Sequence, residues 1–277
     1  MTLVRVTLLG TGAALATGDR VQTGLLVERS EPDSTVLLDC GSGVLHRLAG
    51  IGCEPASIDG VLLSHTHLDH VSDLPGLVKA RWMAGDPTTP IVGPVGTRSD
   101  VAPLFEVDDQ TDRVEVWEFE AGEFDAGGFD RRSVDRRGFD GGGLDREGVD
   151  GEGLPFETRA VSTAPTVHSR SGVAYRFGDR FAFSGDTEAS VELLEFCDGV
   201  DVLVHDCARP PGGTEDNHPT PESLAASLGR ADPDVDRLYL THLYPAVASR
   251  AEEARRIVSS ATDATVHVAS DGDVVLA

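Results

Sequence analysis

The sequence predicts an α+β fold of two β-sheets with helices packed outside them. Three observations carry this: twelve short aliphatic runs bounded by Gly, Pro or Asp, helix-like segments interspersed among those runs, and a chain long enough to bury a double-layer core. At 277 residues the chain is read as one domain, 1–277, and 40% apolar residues with 5% aromatics is a globular composition.

In chain order, Val4 to Leu9 reads as a strand that Gly10-Thr11-Gly12 ends, and Leu25 to Glu28 follows Gly24. Thr35 to Leu38 stops at Asp39, Gly60 to Ser64 runs into a histidine cluster, and Ile91-Val92 lies between Pro90 and Gly93. Val114 to Phe119, Phe156 to Val161, Val173 to Phe177, Phe181 to Ser184, Val202 to His205, Leu238 to Thr241 and Val266 to Ala269 complete the strand set. Helical patterns fall at Leu74 to Ala84, Val191 to Phe196, Pro221 to Gly229 and Ser249 to Ala261. One segment departs from both periods. Phe124 to Gly153 runs as six pentads, each with an apolar residue, an Asp, two variable positions and a small residue. A period of five fits neither the 3.6 of a helix nor the 2.0 of a strand, so about 124–153 reads as a flexible Asp/Gly/Arg-rich surface insertion rather than a calcium- or partner-binding array.

The charge is −24, from 23 basic and 47 acidic residues, and Lys79 is the single lysine. Such an excess points to a high-salt cytoplasm, where ions screen self-repulsion, and it disfavours a polyanionic substrate. No apolar run approaches the ~18 residues of a membrane span, and the N-terminus lacks a basic n-region and cleavage site. Cys40, Cys53, Cys197 and Cys207 are too widely spaced for a disulfide scaffold or a zinc ribbon.

The chemistry is concentrated in Ser64-His65-Thr66-His67-Leu68-Asp69-His70. Three imidazoles and a carboxylate within six residues of a strand end can be swung to one side by a tight loop, and zinc takes such N and O donors.

This spacing resembles the metal motif of the metallo-β-lactamase superfamily, and four further motifs appear in the family's order. Leu37-Leu38-Asp39-Cys40-Gly41-Ser42-Gly43 fits the first, an Asp after a strand. His168, in Pro165-Thr166-Val167-His168-Ser169, fits the next histidine. Asp186, in Ser184-Gly185-Asp186-Thr187, fits the bridging carboxylate, and His242, in Leu240-Thr241-His242-Leu243, the last histidine. The resemblance implies a four-layer αββα sandwich with the site at one edge between the sheets. By the same resemblance, His65, His67 and His168 hold one divalent metal, and Asp69, His70 and His242 hold another. Asp186 bridges the two. Zinc is the default, and manganese or iron also suits mixed His/Asp donors. Asp39 is expected to orient a histidine such as His65 or His67 rather than to ligate.

Aspartates at both carboxylate positions, with the terminal His242, resemble the phosphodiesterase and nuclease branch that includes ribonuclease Z. Val204-His205-Asp206-Cys207 and Asn217-His218-Pro219-Thr220 resemble further stretches of that branch, so Asp69, Asp206 and His218 are the catalytic candidates. His205 reads as a buried strand residue. His168 and Asp186 are only 18 positions apart, which leaves no room for the branch's basic RNA-binding arm at that point, and the pentad segment offsets its five arginines with acids. The expected substrate is therefore a small-molecule or cyclic phosphodiester rather than a large RNA, and a homodimer is compatible with the sequence. The alternative on the same site is hydrolysis of a carboxylic ester, thioester or lactam; a non-catalytic scaffold fits less well because no ligand is missing.

Overall fold

The computed structural model describes residues 3–15, 17–30, 33–86, 88–120, 135–137 and 161–277. One sheet comprises β1 (Val4–Gly10), β2 (Gly24–Ser30), β3 (Asp33–Leu38), β4 (Gly60–Leu62), β5 (Thr89–Pro94), β6 (Val114–Phe119), β7 (Asp135–Arg137) and β14 (Val274–Leu276). The other comprises β8 (Val161–Pro165), β9 (Val173–Phe177), β10 (Phe181–Phe183), β11 (Val200–Asp206), β12 (Val235–Thr241) and β13 (Thr265–Val268). Their strand orders are β14-β1-β2-β3-β4-β5-β6-β7 and β13-β12-β11-β10-β9-β8. β3 to β6 run parallel in the first sheet, and β10 to β13 in the second.

Successive strand residues face opposite sides, and here both sides are apolar. Val36 and Leu38 join Val202 and Val204 in the layer between the sheets, together with Phe119, Tyr175, Phe181 and Phe183. The intervening Leu37 faces outward onto α1 (Val44–Gly50), α3 (Leu74–Met83) and α4 (Thr97–Glu106). On the opposite sheet, Leu203 and Leu240 face α5 (Val191–Phe196), α6 (Pro221–Ala231) and α8 (Ala251–Ser259). Strands covered on both faces produce three apolar layers, and the outcome is the αββα sandwich. Two single turns, α2 (Leu68–Val71) and α7 (Pro245–Ala248), sit at the strand ends.

The strand signals locate most of the observed strands with small shifts at their ends, but not β7 or β14. The expected strand at 156–161 falls mostly outside the described residues, and β8 begins at Val161. The pentad segment also lies outside them apart from 135–137, which pairs antiparallel with β6. The helix expected over Ser249 to Ala261 is α8, which begins at Ala251 because Arg250 before it leaves helical dihedrals at φ −123° and ψ 26°; the turn α7 precedes it. No helix among the described residues is long and apolar enough to cross a membrane.

Candidate metal centre

Parallel strands deliver their C-terminal ends to one edge, where open α/β sheets gather ligands. Asp39 follows β3, the 64–70 loop follows β4, Asp186 follows β10, Asp206 ends β11 and His242 follows β12. Among the described residues, three of the five non-glycine residues with positive φ lie here: Asp39 and His242 at 58° and Asn217 at 60°. A left-handed backbone costs a residue with a Cβ on the order of 1 kcal/mol, so conformational strain is concentrated where side chains are aimed. Gly41 serves the same end by close approach, since a Cβ there would stand 2.0 Å from the Asp69 carbonyl oxygen.

Among the described residues three groups of possible ligands meet at Asp186: the third joins it to Asp206 and His218, and the other two contain the expected ligand sets. His65, His67, His168 and Asp186 make one, Asp69, His70, Asp186 and His242 the other, and within each group the ligand atoms lie within 4.8 Å of one another. Asp186 Oδ2 stands 3.2 Å from Nε2 of both His70 and His242 and 3.5 Å from His65 Nε2. Asp69 Oδ2 is 3.7 Å from the same two Nε2 atoms, and His65 Nε2 is 3.0 Å from His67 Nδ1. Donors held ~2.0–2.2 Å from a tetrahedral ion stand about 3.3–3.6 Å apart, close to this spread. Nε2 of His70 and His242 and Nδ1 of His168 are buried without a hydrogen-bond partner. The orphaned Nε2 atoms of His70 and His242, facing Asp69 and Asp186, fit a pair of divalent cations. So does the charge: Asp39, Asp69, Asp186 and Asp206 are all buried, yet none pairs with a lysine or arginine among the described residues.

The outer ring nitrogens are tied down. Asp39 Oδ2 accepts from His70 Nδ1 at 2.8 Å and from Ser64 Oγ at 2.7 Å, while its Oδ1 accepts from the Ser64 N–H. Ser64 Oγ in turn stands 3.1 Å from His65 Nδ1. Asp39 thus orients His70 directly and reaches His65 only through Ser64, which corrects the expected contact with His65 or His67. The reason is the β3–β4 pairing, which seats Asp39 under the Ser64 amide and on the His70 side of the loop.

His242 is held by a residue that sequence reading missed. Thr23 Oγ1 lies 2.9 Å from His242 Nδ1 and donates to the Gly12 carbonyl at 3.3 Å, so the ring carries its proton on Nδ1 and offers Nε2 to the site. The Leu243 N–H donates to the Thr11 carbonyl at 3.0 Å, and Asp271 fastens that loop by accepting from the Thr11 and Val21 amides. Replacing Thr23 by Val keeps the shape and removes the acceptor. Affinity at the second group should fall about 10–100-fold in a metal titration, and Thr23→Ser should retain it; equal affinity in Thr23→Val would remove Thr23 from this role.

Burial brings His168 and His242 down to about 4 and His65 well below its ordinary value, whereas at His70 the charges and hydrogen bonds of Asp186 and Asp39 outweigh burial and raise it. The first three are neutral, donor-ready rings. Burial also opposes the charge on Asp186, but His242, His70 and His65 outweigh it and hold the carboxylate ionised.

Beside both groups sits the last pair of candidates. His218 Nδ1 donates to Asp206 Oδ2 at 2.7 Å, and its ring centroid is 5.1 Å from that of His242 and 5.3 Å from that of His168. The Thr187 and Ala208 amides fix the Asp206 carboxylate. Desolvation alone would lower the His218 pKa, yet the hydrogen bond and charge of Asp206 raise it above the ordinary value. His205 is buried in β11 with Nδ1 on the Asp206 carbonyl, as a strand residue should be. Tyr244, not anticipated from sequence, stands 6.0 Å from His218 and 6.2 Å from His242, ring centre to ring centre.

Comparison with known proteins bears on the family and the fold. Residues 34–243 match the beta-lactamase superfamily domain. The chain is 33% identical over 295 aligned positions to ribonuclease Z of Mycobacterium avium, covering 93% of this chain and 92% of that protein. The metallo-beta-lactamase fold protein YhfI from Bacillus subtilis superposes with a TM-score of 0.73 at 19% identity, over 99% of this chain and 100% of that one. A diphosphatase of the PhnP family superposes at 0.69 with 18% identity, over 98% and 97% of the two chains.

Proposed function

The chain belongs to the beta-lactamase superfamily, and on that premise we propose that it is a metal-dependent hydrolase of phosphodiester bonds whose natural substrate is small or cyclic. One observation carries the reading: the buried Asp206–His218 couple stands against histidines of both ligand groups. The relative named ribonuclease Z and the fold neighbour named a diphosphatase point the same way.

His65, His67 and His168 would hold one divalent ion and Asp69, His70 and His242 the other, with Asp186 shared. When bound, the two ions supply Lewis-acid charge and lower the pKa of a water. The remaining work falls to the chain. Asp39, Ser64 and Thr23 hold the ligand rings so that their free nitrogens converge on Asp186. Because Nδ1 of His218 is committed to Asp206, its exchangeable proton sits on Nε2, available to a departing alkoxide. The hydrogen bond and charge of Asp206 favour the protonated imidazole, while burial pushes the Asp206 carboxyl itself up to about 7, so the pair holds its proton between them.

Two features favour a small substrate. His168 and Asp186 are 18 positions apart and β9 and β10 lie between them, so no RNA-gripping arm emerges there. A net charge of −24 also repels a long polyanion.

Leaving groups test the assignment. Against a dialkyl phosphodiester, His218→Ala should lose about 10²–10⁴-fold in kcat. Against the nitrophenyl ester of the same phosphate the loss should be far smaller, because nitrophenolate departs without a proton. Equal losses on the two esters would strip His218 of the donor role; turnover of thioesters but of neither diester would overturn the phosphodiester assignment itself.

A further inference from the structure

We propose that Arg170 forms an anion subsite beside the metal centre, and that the substrate therefore carries a terminal phosphomonoester in addition to the scissile diester; this rests on the phosphodiesterase reading above. Thr66, between His65 and His67, donates from Oγ1 to Asp100 Oδ2 at 2.6 Å. Arg170, two positions after His168, donates from Nη1 to that same oxygen at 3.2 Å. One carboxylate in the first turn of α4 thus ties the metal-binding loop to the His168 loop and fixes the guanidinium at their seam.

The His168 loop is itself tight: the Thr166 N–H donates to the Gly172 carbonyl at 3.1 Å, and a Cβ on Gly172 would stand 2.6 Å from Thr166 Oγ1. Arg170 is therefore anchored at one arm on a short, braced turn. Its Nε and Nη2 make no hydrogen bond among the described residues, and its side chain is 51% exposed.

Arg209, the other cation beside the centre, differs. Its backbone N–H donates to the Pro219 carbonyl beside His218, but its Nε and Nη2 are both bonded to Asp216. Only Arg170 of the two presents an unused pair of parallel donors, the geometry that matches two phosphate oxygens. In a chain of net charge −24 a dianionic group is repelled unless a cation meets it directly. At ~2 M salt the screening length is only a few ångströms, so such recognition must be a contact pair of this kind.

The test is calorimetric binding of a nucleoside 3′,5′-bisphosphate and of the matching 5′-monophosphate to the metal-loaded protein in ~2 M salt. The bisphosphate should bind about tenfold more tightly or better, the order of one charge-assisted contact. In Arg170→Ala the ratio of the two affinities should collapse to about one, and Arg170→Lys should restore part of it. Equal affinities in the wild type, or equal losses for both ligands in Arg170→Ala, would overturn the subsite and leave Arg170 as a loop brace. Binding needs no turnover, so a protein that prefers the bisphosphate yet cleaves no diester would keep the subsite and contradict only the reaction.

Discussion

Replacing Asp186 by asparagine should lower turnover by about a thousandfold, the scale set by ~4 kcal/mol for removing one partner of a buried ionic cluster. Asp186 is the only side chain common to both ligand groups, and one of its oxygens stands within 3.5 Å of three imidazole nitrogens. Asparagine keeps the shape but removes the charge, and its amide either turns a donor toward the cations or offers them a weaker neutral oxygen. Gly185, at φ 59° immediately before it, fixes the direction of the side chain, so little rearrangement can compensate. Steady-state kinetics and metal analysis on one preparation decide the matter. A variant that binds two ions and turns over at the wild-type rate would show that the groups do not share this residue.

Chelation should have a comparably large effect on stability. Four buried carboxylates without a lysine or arginine among the described residues leave the edge of the sandwich dependent on cations. An ion present at a thousand times its Kd contributes about 4 kcal/mol to the folded state. For a domain of this size each kcal/mol moves Tm by roughly 2–4 °C, so stripping the centre should cost about 10 °C or more. Melting in ~2 M salt with and without a strong chelator measures this, the salt keeping self-repulsion of so acidic a chain constant between the two scans. An unchanged Tm would mean that the cluster is folded and satisfied without metal.

What could be read from the sequence divides along the line between local and non-local causes. His65, His67, Asp69 and His70 were legible because one turn carries them all: His67 is extended at ψ 150° and the chain then enters α2, so neighbouring side chains converge without help from elsewhere. Most strands were legible because their cores are apolar on both faces. Helices α1 and α4 were not, since both start from left-handed glycines, Gly43 and Gly96, and α4 carries Pro103 within it. Thr23 gave no signal at all. It lies 219 positions from His242, and only the pairing of β1 with β2 and the Gly12–Leu243 bridge bring the two together. The partner of Asp39 was misjudged for the same reason, because which histidine it meets depends on how β3 lies against β4. His218 was named from its motif, but its aim depends on the left-handed Asn217 before it and on Asp206, contributed by a different strand.

The central claim is that two divalent ions on this histidine and aspartate cluster cleave a phosphodiester. Its most direct test is to titrate zinc or manganese into the chelated protein in ~2 M salt while following hydrolysis of a chromogenic diester. Activity should be absent from the apoprotein, rise with added metal and level off at two ions per chain. A folded protein that takes up both ions and leaves the diester intact, or that cleaves it equally well in excess chelator, would contradict the account.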